Sequence, residues 1–86
     1  MNDIERYEYE FGKVLRTFDV ERFKRFIEKN KTLYDPYMYL MAKDKPNWWF
    51  EGVMAKSILN RHDMGIKEQM RAKAILDALG WDYNIF

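Results

Sequence analysis

Between Asn47 and Arg61 the chain reads N-W-W-F-E-G-V-M-A-K-S-I-L-N-R, and few folds can house that stretch. At roughly 100° per residue, Phe50, Val53, Met54, Ser57 and Ile58 form one apolar stripe. Trp48, Gly52, Ala55 and Leu59 form a second on nearly the opposite side, and only Glu51, Lys56, Asn60 and Arg61 interrupt the pair. A helix that is apolar almost all round is buried on more than one side. Gly52 and Ala55 sit between large residues, so a neighbouring backbone is expected to approach there. The stretch therefore predicts the central helix of a small all-α domain.

The rest of the chain agrees with that class. Four glycines and two prolines in 86 residues give too little punctuation for an all-β fold built on tight turns. Asn2 with Glu5 resembles a capping box, Asp3 being the competing cap, and Ile4, Tyr7, Phe11, Val14, Leu15 and Phe18 recur at helical spacing. That predicts a first amphipathic helix over 3–17. Asp19 is placed to cap a second, over 20–30, whose dry stripe is Val20, Phe23, Phe26 and Ile27. The link between them is short enough to force an antiparallel hairpin.

Asp35-Pro36 is a cap followed by proline at the first helical position. The uncharged run from Tyr37 to Ala42 then predicts a short third helix rather than a buried strand. Being apolar all round, it is either central or part of an interface. Asp44-Lys45-Pro46-Asn47 opens the central helix, over about 47–61. Asp63 can cap a last helix over 64–79, with Ile66, Met70, Ala74, Ile75, Leu76 and Leu79 as its apolar positions. Gly80 suits the left-handed residue that closes a helix, with Trp81 folding back towards Leu76. The tail over 81–86 is apolar enough to pack on the domain. The expected architecture is one domain, a compact bundle of about five helices with an N-terminal helical hairpin and a buried central helix.

Chemistry is thinly represented. The chain has no cysteine and one histidine, which excludes disulfides, zinc–thiolate sites and thiol catalysis. His62 and Ser57 are five positions apart, whereas side chains that face each other on a helix are three or four apart. Ser57 lies in an apolar stripe, where a hydroxyl bonds back to the preceding turn. One histidine beside scattered carboxylates does not make a transition-metal ligand set, and no carboxylate pair or phosphate-cradling loop is present. Neither enzyme activity, nor a cofactor, nor a small-molecule substrate is expected. With no secretory pattern and no apolar run of about 20 residues, a cytoplasmic protein without a membrane partner is the expectation.

Fifteen basic against fourteen acidic residues leave a net charge of +1, without the strongly basic character that announces a nucleic-acid binder. Two faces keep that reading open. Arg22, Arg25 and Lys29 line up on the second helix, flanked by Glu21 and Glu28. The last helix carries Lys67, Arg71 and Lys73 with Gln69, and 55–75 can be laid on a helix-turn-helix, although its turn is long for the motif.

The aromatic fraction, 17%, is the more telling excess. Each aromatic side chain buries roughly 150–250 Å², and fifteen are expected to exceed what so small a core can take. Tyr34, Tyr37, Tyr39, Trp48 and Trp49 fall within sixteen positions. Core filling around the central helix is their plainer use. The sharper one is an interface, where tyrosine and tryptophan are enriched because each joins an apolar body to a polar tip. The functional expectation is an adaptor- or inhibitor-like interaction module that binds a protein partner, or itself as a homo-oligomer, through this aromatic surface. A nucleic-acid-binding regulator is the alternative.

Overall fold

A computed structural model of the chain describes residues 2–32 and 36–83, and of 36–38 the backbone alone. Among the described residues the chain forms five helices: α1 (Asp3–Thr17), α2 (Val20–Lys29), α3 (Pro36–Ala42), α4 (Asn47–Leu59) and α5 (Ile66–Leu79). No helix among these residues is long and apolar enough to cross a membrane.

The N-terminal hairpin forms where the sequence places it. Asn2 caps α1, its Oδ1 accepting from the Glu5 amide at 2.8 Å while its Nδ2 donates to the Glu5 carboxylate. Asp19 caps α2 through the Arg22 amide at 3.2 Å. Between the helices Phe18 adopts a left-handed conformation, φ 54°, which is uncommon for any residue but glycine. Its ring lies under the Arg71 guanidinium at 4.2 Å, and the Thr17 hydroxyl accepts from the Asp19 amide. Those contacts hold the turn between α1 and α2, which pack against each other.

The core gathers residues from all five helices around α4. Leu15, Phe23, Phe26, Ile27 and Ala42 surround Phe50, Val53, Met54, Ala55 and Ile58, and Met64, Ala72 and Leu76 close the far side. Both stripes of α4 are used, Phe50, Val53, Met54 and Ile58 of the first and Gly52 and Ala55 of the second being buried, and α5 packs on α4 more extensively than any other pair packs. Ser57, as expected, donates its hydroxyl back to the Val53 carbonyl at 2.8 Å.

Gly52 serves a different neighbour from the expected one. It admits no second backbone; a Cβ there would run into the six-membered ring of Trp81. The closure of α5 delivers that ring. Gly80 takes φ 73°, the Trp81 amide donates to the Leu76 carbonyl at 2.9 Å and the Gly80 amide to Asp77. This paired closure turns the chain back over α4. Positions 84–86, the rest of the tail expected to pack on the domain, lie outside the described residues, as does Asp35, the expected cap of α3.

Three further expectations are corrected. α5 starts at Ile66 with Gly65 as its uncapped first position, and Asp63 does not cap it. Instead Asp63 grips Arg61, at 2.9 Å from Nε and 3.0 Å from Nη2. Ile66 and Met70 are 74% and 66% exposed, and Ala74 is exposed too. The buried line of α5 runs through Ala72, Ile75, Leu76 and Leu79, because the small Ala72 lets α5 seat closely. Ile4, at the outer end of α1, is likewise exposed.

The Arg61–Asp63 pair is part of a lock between the α4–α5 turn and α1. The Arg61 guanidinium also donates to the Glu8 carboxylate at 3.2 Å and the Glu8 carbonyl at 3.1 Å. It lies flat on Gly12, where a Cβ would stand 2.8 Å from Nη2. Arg16 donates to the Asp63 carbonyl at 2.9 Å. Hydrogen bonds from Arg61 first, with its charge and Arg16 adding, hold the Asp63 carboxyl well below the usual carboxylate range.

Candidate interaction surface

The third helix is short and thinly attached. Tyr39 and Ala42, three positions apart, turn inward; Ala42 is buried and Tyr39 half-buried. That orientation leaves Leu40 65% exposed and Met41 exposed beside it. The turn over 43–46 then leads straight into α4, whose first ring, Trp48, is 51% exposed. Leu40, Met41 and Trp48 therefore stand on two consecutive helices joined by four residues. Contiguous exposed apolar side chains mark interaction surfaces, whereas single scattered ones are ordinary.

The two adjacent tryptophans point apart, as helical geometry demands. Trp48 meets Trp81 edge-on, centroids 6.3 Å apart at 83°. Trp49 is half-buried and meets Phe50 edge-on at 5.2 Å. Of the five aromatic residues expected to form the surface, Trp48 is exposed, and Tyr39 and Trp49 divide between core edge and surface. Tyr34 and the side chain of Tyr37 lie outside the described residues.

Lysines cover several of these rings. Lys24 stands 5.0 Å from the Phe50 centroid, Lys31 5.7 Å from Tyr39 and Lys45 5.9 Å from Trp49, all within cation–π range. The Tyr39 hydroxyl donates to Glu28 at 2.6 Å. This bond raises the tyrosine pKa and lowers that of the carboxylate. Between α2, α3 and α4 these side chains frame a cavity of about 170 Å³ lined by Ile27, Ala42 and Phe50, with Lys24, Glu28, Tyr39 and Lys43 at its rim.

The basic faces lie elsewhere. Arg22, Arg25 and Lys29 are exposed on α2 and, with Lys13 of α1, border a shallow groove of about 550 Å³ floored by Val14 and Phe26. Two of these cations have acidic partners, Lys29 with Glu10 and Arg22 with Asp19, each at 3.7 Å. On α5, Lys67, Arg71 and Lys73 are exposed, but Arg71 is turned onto Phe18. The turn between α4 and α5 spans the six residues 60–65, longer than the three or four of a helix-turn-helix. Among the described residues no group of three His, Asp or Glu side chains is placed to hold a metal ion. His62 is exposed on the turn beside Arg61 and Asp63.

Sequence reasoning reached Leu40 and Met41 only as members of a run either central or part of an interface, and passed over Lys13 and the ring-covering lysines. Leu40 and Met41 carried a signal, the uncharged run after Pro36. Lys13 and Lys24 carried none, because each meets its groove or ring across a helix boundary. Comparison with protein-family models, curated proteins and solved structures finds no match.

Proposed function

We propose that this chain is a small protein-interaction module of adaptor or inhibitor type. It binds a partner protein, or a second copy of itself, through the surface formed by α3 and the start of α4. The observation that carries the reading is the exposure of Leu40, Met41 and Trp48 on two consecutive helices. Tryptophan and methionine are favoured at the centres of interfaces. The lysines over Tyr39, Phe50 and Trp49 supply the polar rim.

Light scattering on a sizing column, run over a range of concentrations, tests it together with capture on the immobilised protein. Leu40→Ser with Trp48→Ala is expected to abolish self-association or partner capture while the circular dichroism spectrum and melting temperature stay close to those of the parent. Binding that persists in the folded double variant would refute the surface.

A second reading, nucleic-acid binding, draws support from the groove where Lys13, Arg22, Arg25 and Lys29 converge from two helices. It predicts retention of nucleic acid that weakens steeply as salt rises, and loss of retention when Arg22, Arg25 and Lys29 are replaced together by glutamine. A column peak free of 260-nm excess at low salt would dismiss it.

A further inference from the structure

We infer that the cavity between α2, α3 and α4 is the specificity pocket of the interaction surface. Its occupant is an acidic peptide segment of a partner protein that inserts one phenylalanine-sized side chain. The inference rests on the reading of the α3–α4 surface as an interface, and it adds what kind of partner fits.

Size supports the apolar half. The cavity holds about 170 Å³, and its inner wall is Ile27, Ala42 and Phe50. An enclosed apolar cavity of roughly 150 Å³ accepts a benzene ring; this pocket, open at its mouth, offers a similar volume over an apolar inner wall, room for one phenyl group. Ala42 is the residue that makes the room: it is 4% exposed, and any larger side chain there would project into the space.

Charge supports the acidic half. Lys24 and Lys43 stand at the mouth. Lys24 is held in place by Asn47 at 2.8 Å and by Glu21 at 3.6 Å and lies against the Phe50 ring, so its ammonium is fixed at the edge of the pocket with part of its charge already met. Lys43 meets no acidic side chain among the described residues. Among the described residues the carboxylate lining the mouth is Glu28, which is occupied by the Tyr39 hydroxyl and by Lys31 at 3.4 Å. Lys45, over Trp49, extends the positive border along the surface, while Lys31, over Tyr39, is balanced by Glu28. A carboxylate on either side of an inserted ring would meet an ammonium; a lysine there would be repelled. Complementarity of this kind selects partners more than it strengthens binding.

The test uses the full chain, isotope-labelled for amide NMR, and four probes: acetyl-Glu-Phe-Glu-amide, acetyl-Glu-Ala-Glu-amide, acetyl-Lys-Phe-Lys-amide and free phenylacetate. The Glu-Phe-Glu peptide is expected to shift the amides of Ile27, Ala42 and Phe50 and to bind at least ten-fold more tightly than either other peptide. Ala42→Leu, which fills the cavity, should abolish those shifts. Lys24→Gln with Lys43→Gln, both at the surface, should weaken binding about five-fold and keep the fold intact should Ala42→Leu disturb it. Equal binding of Glu-Ala-Glu would leave charge alone, and equal binding of Lys-Phe-Lys would leave the ring alone. Phenylacetate binding as tightly as the peptide would make this a small-molecule pocket. Any of these results, or the absence of shifts at 10-fold molar excess over millimolar protein, overturns the inference. Loss of capture in the Leu40/Trp48 double variant would still uphold the interface itself, so the two readings fail separately.

Discussion

α3 and α4 are both apolar nearly all round, yet they end in opposite places. α4 buries Phe50, Gly52, Val53, Met54, Ala55 and Ile58, whereas α3 buries Ala42 and leaves Leu40 and Met41 outside. Composition does not separate them. Length and small residues do. α4 has 13 residues, enough for several turns of contact with neighbours on two sides, and its Gly52 and Ala55 let those neighbours close in. α3 has 7, and a two-turn helix with no small residue on its outer face cannot be wrapped by an 86-residue chain. All-round apolarity thus marks a helix that needs cover, which the fold supplies to α4 and, among the described side chains of α3, withholds from Leu40 and Met41.

The comparison can be broken most directly at Ile58, which is fully buried in α4. Ile58→Ala should cost about 2–5 kcal/mol, read as a lower urea midpoint. A change under 1 kcal/mol would mean that α4 is not the centre of the core.

Gly52→Ala comes next. Alanine favours helix by about 1 kcal/mol over glycine, but here its methyl meets the Trp81 ring. Overpacking of this kind costs about 1–3 kcal/mol, so the variant is expected to melt at a lower temperature. A rise in melting temperature would show that the ring yields freely.

The lock at the end of α4 gives a smaller effect that depends on pH. The Asp63 carboxyl ionises at a lower pH in the folded than in the unfolded chain. Its contribution is therefore present above the ordinary carboxylate value of about 3.9 and is lost as pH falls below it. Asp63→Asn should be less stable than the parent at pH 7 and should decline less between about pH 5 and pH 2. Because the side chain is half exposed, screening keeps the effect modest. Parallel acid limbs for the two proteins would contradict the lock.

The smallest effect belongs to α3. Leu40→Ser should change stability by no more than about 0.5 kcal/mol. A larger loss would place Leu40 in a core and erase the contrast with α4.

Much of this fold was legible because its signals are local. The caps at Asn2 and Asp19, the closure at Gly80 and the double stripe of α4 each depend on residues within a few positions of one another. What the sequence left open depends on contacts across elements. α5 offers two apolar lines, Ile66–Met70–Ala74 and Ala72–Ile75–Leu76–Leu79, and periodicity alone cannot choose between them. The choice falls to the line whose alanine fits against α4. Asp63 reads as a helix cap until Arg61 is held over Gly12 by a carboxylate 53 positions away, and nothing near Asp63 announces that. The tyrosine and tryptophan cluster spans the same stretch as the exposed Trp48. Leu40 and Met41 belong to the uncharged run after Pro36, whose all-round apolarity fits a central helix and an interface equally, so the pattern alone does not tell which of its side chains stay outside.

The reversal at Gly80 also gives the molecule an optical gauge. It sets two indoles, Trp48 and Trp81, nearly perpendicular and 6.3 Å apart, one at the start of α4 and the other just beyond α5. Rings fixed in that relation absorb as a coupled pair and contribute a near-ultraviolet dichroic signal that vanishes when either swings free. Undocking of the chain beyond α5 can therefore be followed in the unlabelled protein, and separated from melting of the helices, which the far-ultraviolet signal reports.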